Sequence, residues 1–294
     1  MIRILARIVV ALMVTLAGCR APDAADDRPT VVVTVFPIAD LVSRVAGEAI
    51  RVETLLPPRA SPDTWEATPG QVRRLSNAAG YVTVGGGLDG WLADFESEAA
   101  HLILTEGMEL RAADHDDDDQ ASGDPHVWLD PILVRDDLLP RIESFLAKAF
   151  PQEADGITRR AAMLADTLTR LDQEIHGALR GTPRRSFVAT HDAWSYFAAR
   201  YGLEPLGSIY ERPGHEPSAR GMASLVRAAR DAGVDVILAE PQLAEGGAQA
   251  LATEMGASVR IVDPLGGPGL MGRESYTEMM RTNAREFARA LGAR

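Results

Sequence analysis

The sequence predicts an α/β protein of two βα-sandwich lobes, each a parallel sheet flanked by helices, joined by a single long helix. Short β-branched runs alternate with segments of helical periodicity in both halves of the chain, which is typical of βα units on a parallel sheet. Between these halves, from about residue 135 to residue 179, the periodicity is helical only. The second alternating region repeats the plan of the first, which indicates two lobes of one kind.

Strands are predicted from short apolar runs, and helices from apolar residues three or four positions apart. In the first half, strands are predicted at 31–36, 51–56, 81–84 and 102–104, and helices at 38–46, 69–79 and 91–99. In the second half, strands are predicted at 187–190, 206–209, 234–239 and 259–262, and helices at 194–201, 222–232, 248–255 and 275–291. Gly202 follows the first of these helices and is predicted to be its C-cap.

The central stretch ends in a long helix that is predicted to start after Pro151. Its apolar residues recur at spacings of three or four, so they share one face: Leu164, Leu168, Leu171, Ile175 and Leu179. We expect this helix to lie across both lobes and to join them. The folded chain is therefore divided into an N-terminal lobe (30–134), a helical linker (135–180) and a C-terminal lobe (181–294).

The N-terminus is predicted to be a targeting segment that is not part of the fold. Arg3 and Arg7 form a positively charged region before an uncharged apolar run, 8–17. This run is too short to span a bilayer, because a span needs about 20 apolar residues. Residues 16–19, Leu-Ala-Gly-Cys, resemble the lipobox of bacterial lipoproteins, in which the cysteine carries lipid. An ordinary secretory signal or an uncleaved anchor helix is the alternative.

The lipobox resemblance implies a signal peptide (1–18), a lipid on Cys19 and a lipidated tether (19–29). The protein is then exported and anchored in a membrane, on the periplasmic or outer face of the cell envelope. Cys19 is the only cysteine, so no thiol remains for a metal site or a nucleophile.

The composition is acidic, with a formal net charge of -12. Binding of nucleic acid depends on clustered Lys and Arg, so nucleic acid is excluded as a partner. An acidic chain suits a cationic ligand, although acidity also serves solubility alone.

Four polar residues stand at or near the carboxyl ends of predicted strands, where ligands bind in sheets of this kind. His191 and Asp263 directly follow a strand, whereas Asp63 and His126 lie in loops. Two imidazoles and two carboxylates can enclose a divalent ion in roughly tetrahedral coordination. Taken singly, such a histidine is more often a hydrogen-bonded structural residue, and such an aspartate a turn residue or helix N-cap.

Five segments, in the same order along the predicted mature chain, resemble motifs of the zinc and manganese solute-binding proteins of bacterial ABC importers. They are DPHVWLDP at 124–131, THDAWSYF at 190–197 with YGL at 201–203, EPS at 216–218, AEPQ at 239–242 and VDPLG at 262–266. The whole series is far more specific than any single motif.

The resemblance implies two βα lobes bridged by one long helix, a metal ion between the lobes, and its release to the membrane permease of a metal ABC transporter. It places three of the family's four metal ligands on His126, His191 and Asp263. We expect a monomer that binds the metal as its transported ligand and is not an enzyme.

The first ligand position departs from the family pattern, which has a histidine where this chain has Asp63. A carboxylate lies closer to the backbone than a histidine Nε2, so either the loop moves inward or a water molecule intervenes. Asp63 is predicted to bind the ion directly, with Glu66, His115 or water as the alternatives.

Zinc is the expected ion, because a histidine at the position of His191 is typical of the zinc binders in this family. Asp63 in place of a histidine hardens the site, which favours Mn²⁺ or Fe²⁺ as the alternative to Zn²⁺. Binding must deprotonate both histidines, so affinity is expected to fall as the pH drops through about 6.5.

Further residues are candidates for supporting roles. Glu66, Glu216 and Glu240 could orient a histidine by accepting its other N–H. Gly85–Gly87 indicate a tight turn near the cleft, because the motif of a phosphate-binding loop is missing. An acidic loop resembles the His- and acid-rich loop of zinc-binding relatives, and is interpreted as an auxiliary metal site or as a solvated loop without a role: Asp114, His115, Asp116, Asp117, Asp118 and Asp119.

Three classes of function compete: a binding protein for metal import, a metal-dependent hydrolase, and a surface adhesin whose metal is structural. The sequence pairs no general base or nucleophile with the predicted site, and it contains no HExxH motif. Metal import is therefore favoured.

Overall fold

The computed structural model describes residues 27–93, 95–112, 123–210, 218–243 and 245–293. Several predicted features lie outside these ranges: the signal peptide, Cys19, Glu216, and the acidic loop from Asp114 to Asp119 with His115. Among the helices within these ranges, none combines the length and the apolar character needed to cross a membrane.

The N-terminal lobe is built on a parallel sheet of four short strands in the order β2-β1-β3-β4. The strands are β1 (Thr30–Val33), β2 (Arg51–Thr54), β3 (Gly80–Thr83) and β4 (Ala100–Ile103), and the helices are α1 (Phe36–Ala46) and α2 (Pro69–Ser76). The central strand β1 is covered on both faces, since Val31 and Val33 join one apolar cluster and Val32 another.

All four predicted strands of this lobe are present, but the predicted helix at 91–99 is wrong. Among the residues described in this segment, the chain forms only a 3-10 turn, Gly90–Leu92. The Trp91 ring meets the Trp65 ring edge-on, with the ring centroids 4.6 Å apart. Trp91 therefore packs into the lobe from a short turn, and the apolar residues at 91–99 do not require a helix.

The helical linker contains a break that periodicity alone does not reveal. Helix α3 (Pro131–Leu133) leads into the linker, and a π-helical turn (Val134–Leu138) and α4 (Leu139–Ala149) follow. Pro140 explains the π-helical turn, because proline lacks an N–H and its ring would clash with the carbonyl four residues earlier. A 3-10 turn, Pro151–Glu153, then leads into the long helix α5 (Ala154–Arg180), which has 27 residues.

The C-terminal lobe repeats the plan with a parallel sheet in the order β6-β5-β7-β8. Its strands are β5 (Ser186–Ala189), β6 (Glu204–Ser208), β7 (Val236–Ala239) and β8 (Ser258–Ile261), and its helices are α6 (Ser195–Tyr201), α7 (Ala219–Asp231), α8 (Glu245–Met255) and α9 (Tyr276–Ala290). Strand β6 tolerates Pro205 because it lies at an edge of the sheet. Gly202 ends α6 with φ 65° and ψ 40°, the left-handed conformation of the predicted C-cap.

Helix α5 is fastened to both lobes by polar contacts as well as by its apolar face. Arg160 donates to the carbonyls of Val45 and Ala46 at 2.7 and 2.8 Å, which satisfies the C-terminal end of α1. Asp172 accepts two hydrogen bonds from Arg200 of α6, each 2.7 Å long. The predicted fold class is confirmed: two βα lobes are joined by one long helix.

The two faces of α5 differ enough to be tested by substitution. Leu168 is fully buried, whereas Met163 on the same helix is 69% exposed. Leu168→Ala should lower the free energy of unfolding by about 3 kcal/mol, because burial is lost and a cavity is left. The control Met163→Ala should change it by less than about 0.5 kcal/mol. Chemical denaturation of both variants measures the difference, and equal effects would contradict this assignment of the helix faces.

Candidate metal centre

The predicted ligands lie in loops that follow strands of the two sheets. Asp63 lies between β2 and α2, and His126 precedes a 3-10 turn, Val127–Leu129, after β4. His191 follows β5 and Asp263 follows β8, each with one residue between. Since the strands are parallel, these loops leave the carboxyl edges of both sheets, which is the usual place for a ligand.

His126 is buried and is oriented by Asp124. Its Nδ1 lies 2.7 Å from Oδ1 of Asp124, and the same oxygen accepts the backbone N–H of His126 at 2.9 Å. Burial alone would raise the pKa of Asp124, but the imidazole and the hydrogen bonds bring the pKa below its ordinary value. The ionised Asp124 assigns a proton to Nδ1 of His126 and leaves Nε2 with a free lone pair.

His191 is oriented in the same way by Glu240, which directly follows β7. Nδ1 of His191 lies 3.3 Å from Oε2 of Glu240, whose other oxygen accepts the indole N–H of Trp194 at 2.9 Å. Burial lowers the pKa of His191, but Glu240, with contributions from Asp63 and Asp192, more than offsets this and raises the pKa to about 9. The sequence predicts that metal affinity falls as the pH drops through about 6.5. For His191 this fall is therefore expected to begin at a higher pH.

The rings of His126 and His191 meet edge to face, with centroids 5.1 Å apart and planes at 76°. With each Nδ1 turned to its own carboxylate, the Nε2 atoms are the nitrogens available to a ligand. The structure thus brings together one predicted ligand from each lobe, and imidazole nitrogens are ligands that suit a divalent transition metal.

Hydrogen bonds between the lobes surround the two histidines. Ser195, at the start of α6, donates its hydroxyl to Oδ2 of Asp124. Trp128 donates its indole N–H to the carbonyl of Pro264 at 2.7 Å, and the Trp128 carbonyl accepts the hydroxyl of Tyr276 at 2.7 Å. Asp124 therefore makes contacts in both lobes.

Asp263 is fully buried, and four donors surround its carboxylate. Oδ1 accepts the side-chain amide of Gln242 at 2.7 Å and the backbone N–H groups of Leu265 and Gly266 at 3.0 and 2.9 Å. Oδ2 forms an ion pair with Nη1 of Arg273 at 3.0 Å. The hydrogen-bonding capacity of this carboxylate is thus largely taken up by the protein itself.

Asp63 and Glu66 lie on the loop after β2, and both are exposed. Ser61 donates its hydroxyl to Oδ2 of Asp63 at 3.0 Å. Within the described ranges, no three side chains of His, Cys, Asp or Glu lie close enough together to hold a metal ion. The structure therefore pairs the two histidines but leaves Asp63 exposed and Asp263 bonded to other groups.

The glycine turn after β3 packs against the loop that carries His126. Gly85, Gly86 and Gly87 all have φ between 58° and 85°, the left-handed region that favours glycine. A Cβ on Gly85 would collide with Oγ1 of Thr105, and one on Gly86 would lie 3.2 Å from Cβ of Pro125. The predicted tight turn is confirmed, and it packs against the residue before His126.

Sequence reasoning missed the groups that hold the predicted ligands: Asp124, Ser195, Gln242 and Arg273. A signal existed for Asp124, because an aspartate two positions before another residue commonly accepts that residue's backbone N–H. No sequence pattern marks Arg273, whose partner Asp263 lies ten residues away across a loop.

The structure has two α/β lobes joined by one long helix, and a histidine from each lobe faces the other. The sequence model of the family described as "Zinc-uptake complex component A periplasmic" matches residues 31–290. The chain belongs to this family.

Curated relatives are distant in sequence but cover most of the chain. It is 25% identical over 285 residues to the zinc-binding protein AdcA of Streptococcus pyogenes serotype M3, which covers 88% of this chain and 55% of that protein. The chain thus spans about half the length of AdcA. It is 24% identical over 278 residues to the high-affinity zinc uptake system protein ZnuA of Bacillus subtilis, covering 89% of this chain and 87% of that protein.

The fold is also similar to that of a solved structure. A crystal structure of ZnuA matches with a TM-score of 0.81 and 27% identity, covering 90% of this chain and 100% of the other.

Glu240→Gln should lower the pKa of His191 from about 9 towards its ordinary value, about 6.5, because the carboxylate that favours the imidazolium is removed. NMR titration of the imidazole signals without added metal measures this shift. Glu204→Gln is the matched control, since Glu204 accepts from Ser186 at 2.8 Å in the same lobe. A pKa of His191 that stays near 9 in Glu240→Gln would refute the role of Glu240.

The same pKa determines how the stability of the protein without added metal depends on pH. The folded pKa of His191 lies above the unfolded value, so the charged imidazole stabilises the fold fully below about pH 6.5. This contribution is lost as the pH rises through about 9. Unfolding experiments over this range should show the loss in the wild type and a smaller loss in Glu240→Gln.

Proposed function

We propose that this chain captures a divalent transition-metal ion between its two lobes and delivers it to the membrane permease of an ABC importer. Nε2 of His126 and Nε2 of His191 bind the ion, and Asp63 and Asp263 complete the coordination. Zn²⁺ is the proposed cargo, with Mn²⁺ or Fe²⁺ as the alternative, because Asp63 supplies a hard oxygen ligand in place of a histidine.

The pair of imidazoles, each anchored at Nδ1 by a carboxylate, is the observation that carries this proposal. A carboxylate on the other ring nitrogen fixes the ring and makes its free nitrogen a stronger ligand. Burying Asp124 and Glu240 has a cost in desolvation, which a ring needed only for packing would not require. Two rings that are oriented in this way from opposite lobes are best explained as metal ligands.

Completing the site requires local change at the two aspartates. Asp63 is exposed and accepts from Ser61, so its loop can turn towards an ion at the histidines. If it does not reach the ion, Glu66, His115 or a water molecule takes its place. Asp263 must release at least one of its present donors before it can bind.

Two further observations support the proposed cargo and the proposed class of function. AdcA and ZnuA are named as zinc-binding and zinc-uptake proteins. The carboxylates bonded to the histidines are not free to act as general bases, because Asp124 also accepts from Ser195 and Glu240 from Trp194. The proposal therefore assigns transport rather than hydrolysis.

The membrane anchor, the oligomeric state and the role of the acidic loop are proposed from the sequence. A lipid on Cys19 anchors the protein as a monomer on the periplasmic or outer face of the cell envelope, where it meets the permease. The acidic loop from Asp114 to Asp119 gathers metal as a weak auxiliary site.

His126→Ala and His191→Ala should each weaken zinc binding by at least about a hundredfold, because each removes a nitrogen ligand. Competition against a chromophoric chelator, with bound metal quantified, measures the affinity. His176→Ala is the control, since His176 is exposed on α5 and packs near Tyr201. Full zinc affinity in both site variants would overturn the proposed function.

Asp63→His should strengthen zinc binding relative to manganese, because an imidazole replaces a hard oxygen ligand by a softer nitrogen. The measurement is the ratio of zinc and manganese affinities in the same competition assay. Thr64→His is the control, since it adds an imidazole at the neighbouring exposed position. An unchanged ratio in Asp63→His would show that Asp63 does not bind the ion.

A further inference from the structure

The ion pair between Arg273 and Asp263 places a positive charge on the carboxylate that the proposed function gives to the metal. Asp263 is 0% exposed, so no solvent reaches its oxygens. Arg273 lies 3.0 Å from Oδ2, and its side chain is 22% exposed. A cation can bind a fully buried carboxylate only where another group gives way.

The donors around Asp263 differ in how easily they can leave. Leu265 and Gly266 donate backbone N–H groups to Oδ1 within the same tight turn, which moves only if the loop moves. Gln242 also donates to Oδ1. Arg273 is the donor on Oδ2, and it sits on a long flexible side chain that already reaches solvent. Oδ2 is therefore the oxygen that the protein can free with the least rearrangement.

We propose that Arg273 is an internal competitor of the metal ion, whose guanidinium neutralises Asp263 and leaves Oδ2 when the ion binds. This inference rests on the proposed function. A protein that holds its ligand group in a blocked state binds with an affinity reduced by the fraction of molecules that are unblocked. Arg273 therefore sets the metal affinity without touching the ion.

Removal of Arg273 should tighten metal binding. Without the guanidinium, Asp263 is a buried charge that lacks its counter-ion, and a divalent cation then becomes its favoured partner. Arg273→Gln should bind zinc at least tenfold more tightly than the wild type. Arg273→Lys, which keeps the charge but offers a shorter and less directional donor, should give a smaller gain.

The matched control removes an arginine ion pair elsewhere in the same lobe. Arg260 of β8 lies 3.0 Å from Glu286 of α9, so Arg260→Gln removes an arginine ion pair that does not involve Asp263. It should leave the zinc affinity unchanged. The double variant Arg273→Gln/Asp263→Asn should bind zinc no more tightly than Asp263→Asn alone, so that the gain of Arg273→Gln disappears, because the competitor acts only through Asp263.

Zinc competition titrations of the purified proteins decide the question, with circular dichroism to confirm folding. Tighter binding in Arg273→Gln that disappears in the double variant supports the inference. Equal or weaker binding in a folded Arg273→Gln overturns it and shows that the arginine instead supports the binding geometry. If Arg273→Gln does not fold, equal or weaker binding in Arg273→Lys overturns it.

The wild-type titration separates this inference from the function on which it rests. Zinc binding by the wild type with no gain in the arginine variants refutes the role of Arg273 alone. Zinc binding by neither the wild type nor any arginine variant refutes both proposals.

Discussion

The cleft chemistry depends on two buried carboxylates that decide which nitrogen of each histidine faces the space between the lobes. Asp124 and Glu240 each accept from the Nδ1 side of an imidazole. A buried carboxylate has a high desolvation cost unless it is paired and hydrogen-bonded. Each carboxylate therefore depends on its histidine, and each histidine depends on its carboxylate for its orientation. This mutual requirement fixes both rings and leaves both Nε2 atoms free of these carboxylates.

The fold holds the two carboxylate–histidine pairs opposite each other. Parallel strands deliver the site loops at the carboxyl edges of both sheets, and helix α5 is bonded to α1 through Arg160 and to α6 through Asp172. The contact between Trp128 and Pro264 then joins the loops themselves. Two kinds of contact thus fix the distance between the lobes. One is the bonding of helix α5 to both lobes, and the other is the direct contact between the lobes at the site loops.

The fold could be predicted from the sequence because it depends on local periodicity, which eight short apolar strands and one long amphipathic helix display clearly. The two exceptions, the 3-10 turn at Gly90–Leu92 and the π-helical turn at Val134–Leu138, depend on tertiary packing and on a proline within a helix. His126 and His191 could be predicted as a pair from their segments, and the structure brings their rings together. Arg273 could not, because its ion pair with Asp263 arises from the path of a loop and leaves no periodic pattern in the sequence.

Asp124 is hydrogen-bonded in both lobes, and this links the alignment of the lobes to the orientation of one imidazole ring. Because one oxygen of this carboxylate contacts His126 and the other contacts Ser195 of the opposite lobe, a sliding movement between the lobes would pull on the group that orients the ring. The two histidine segments could not be transplanted as peptides into another scaffold and keep this geometry. The binding surface is a property of the assembled interface, and it exists only when both halves of the molecule are in register.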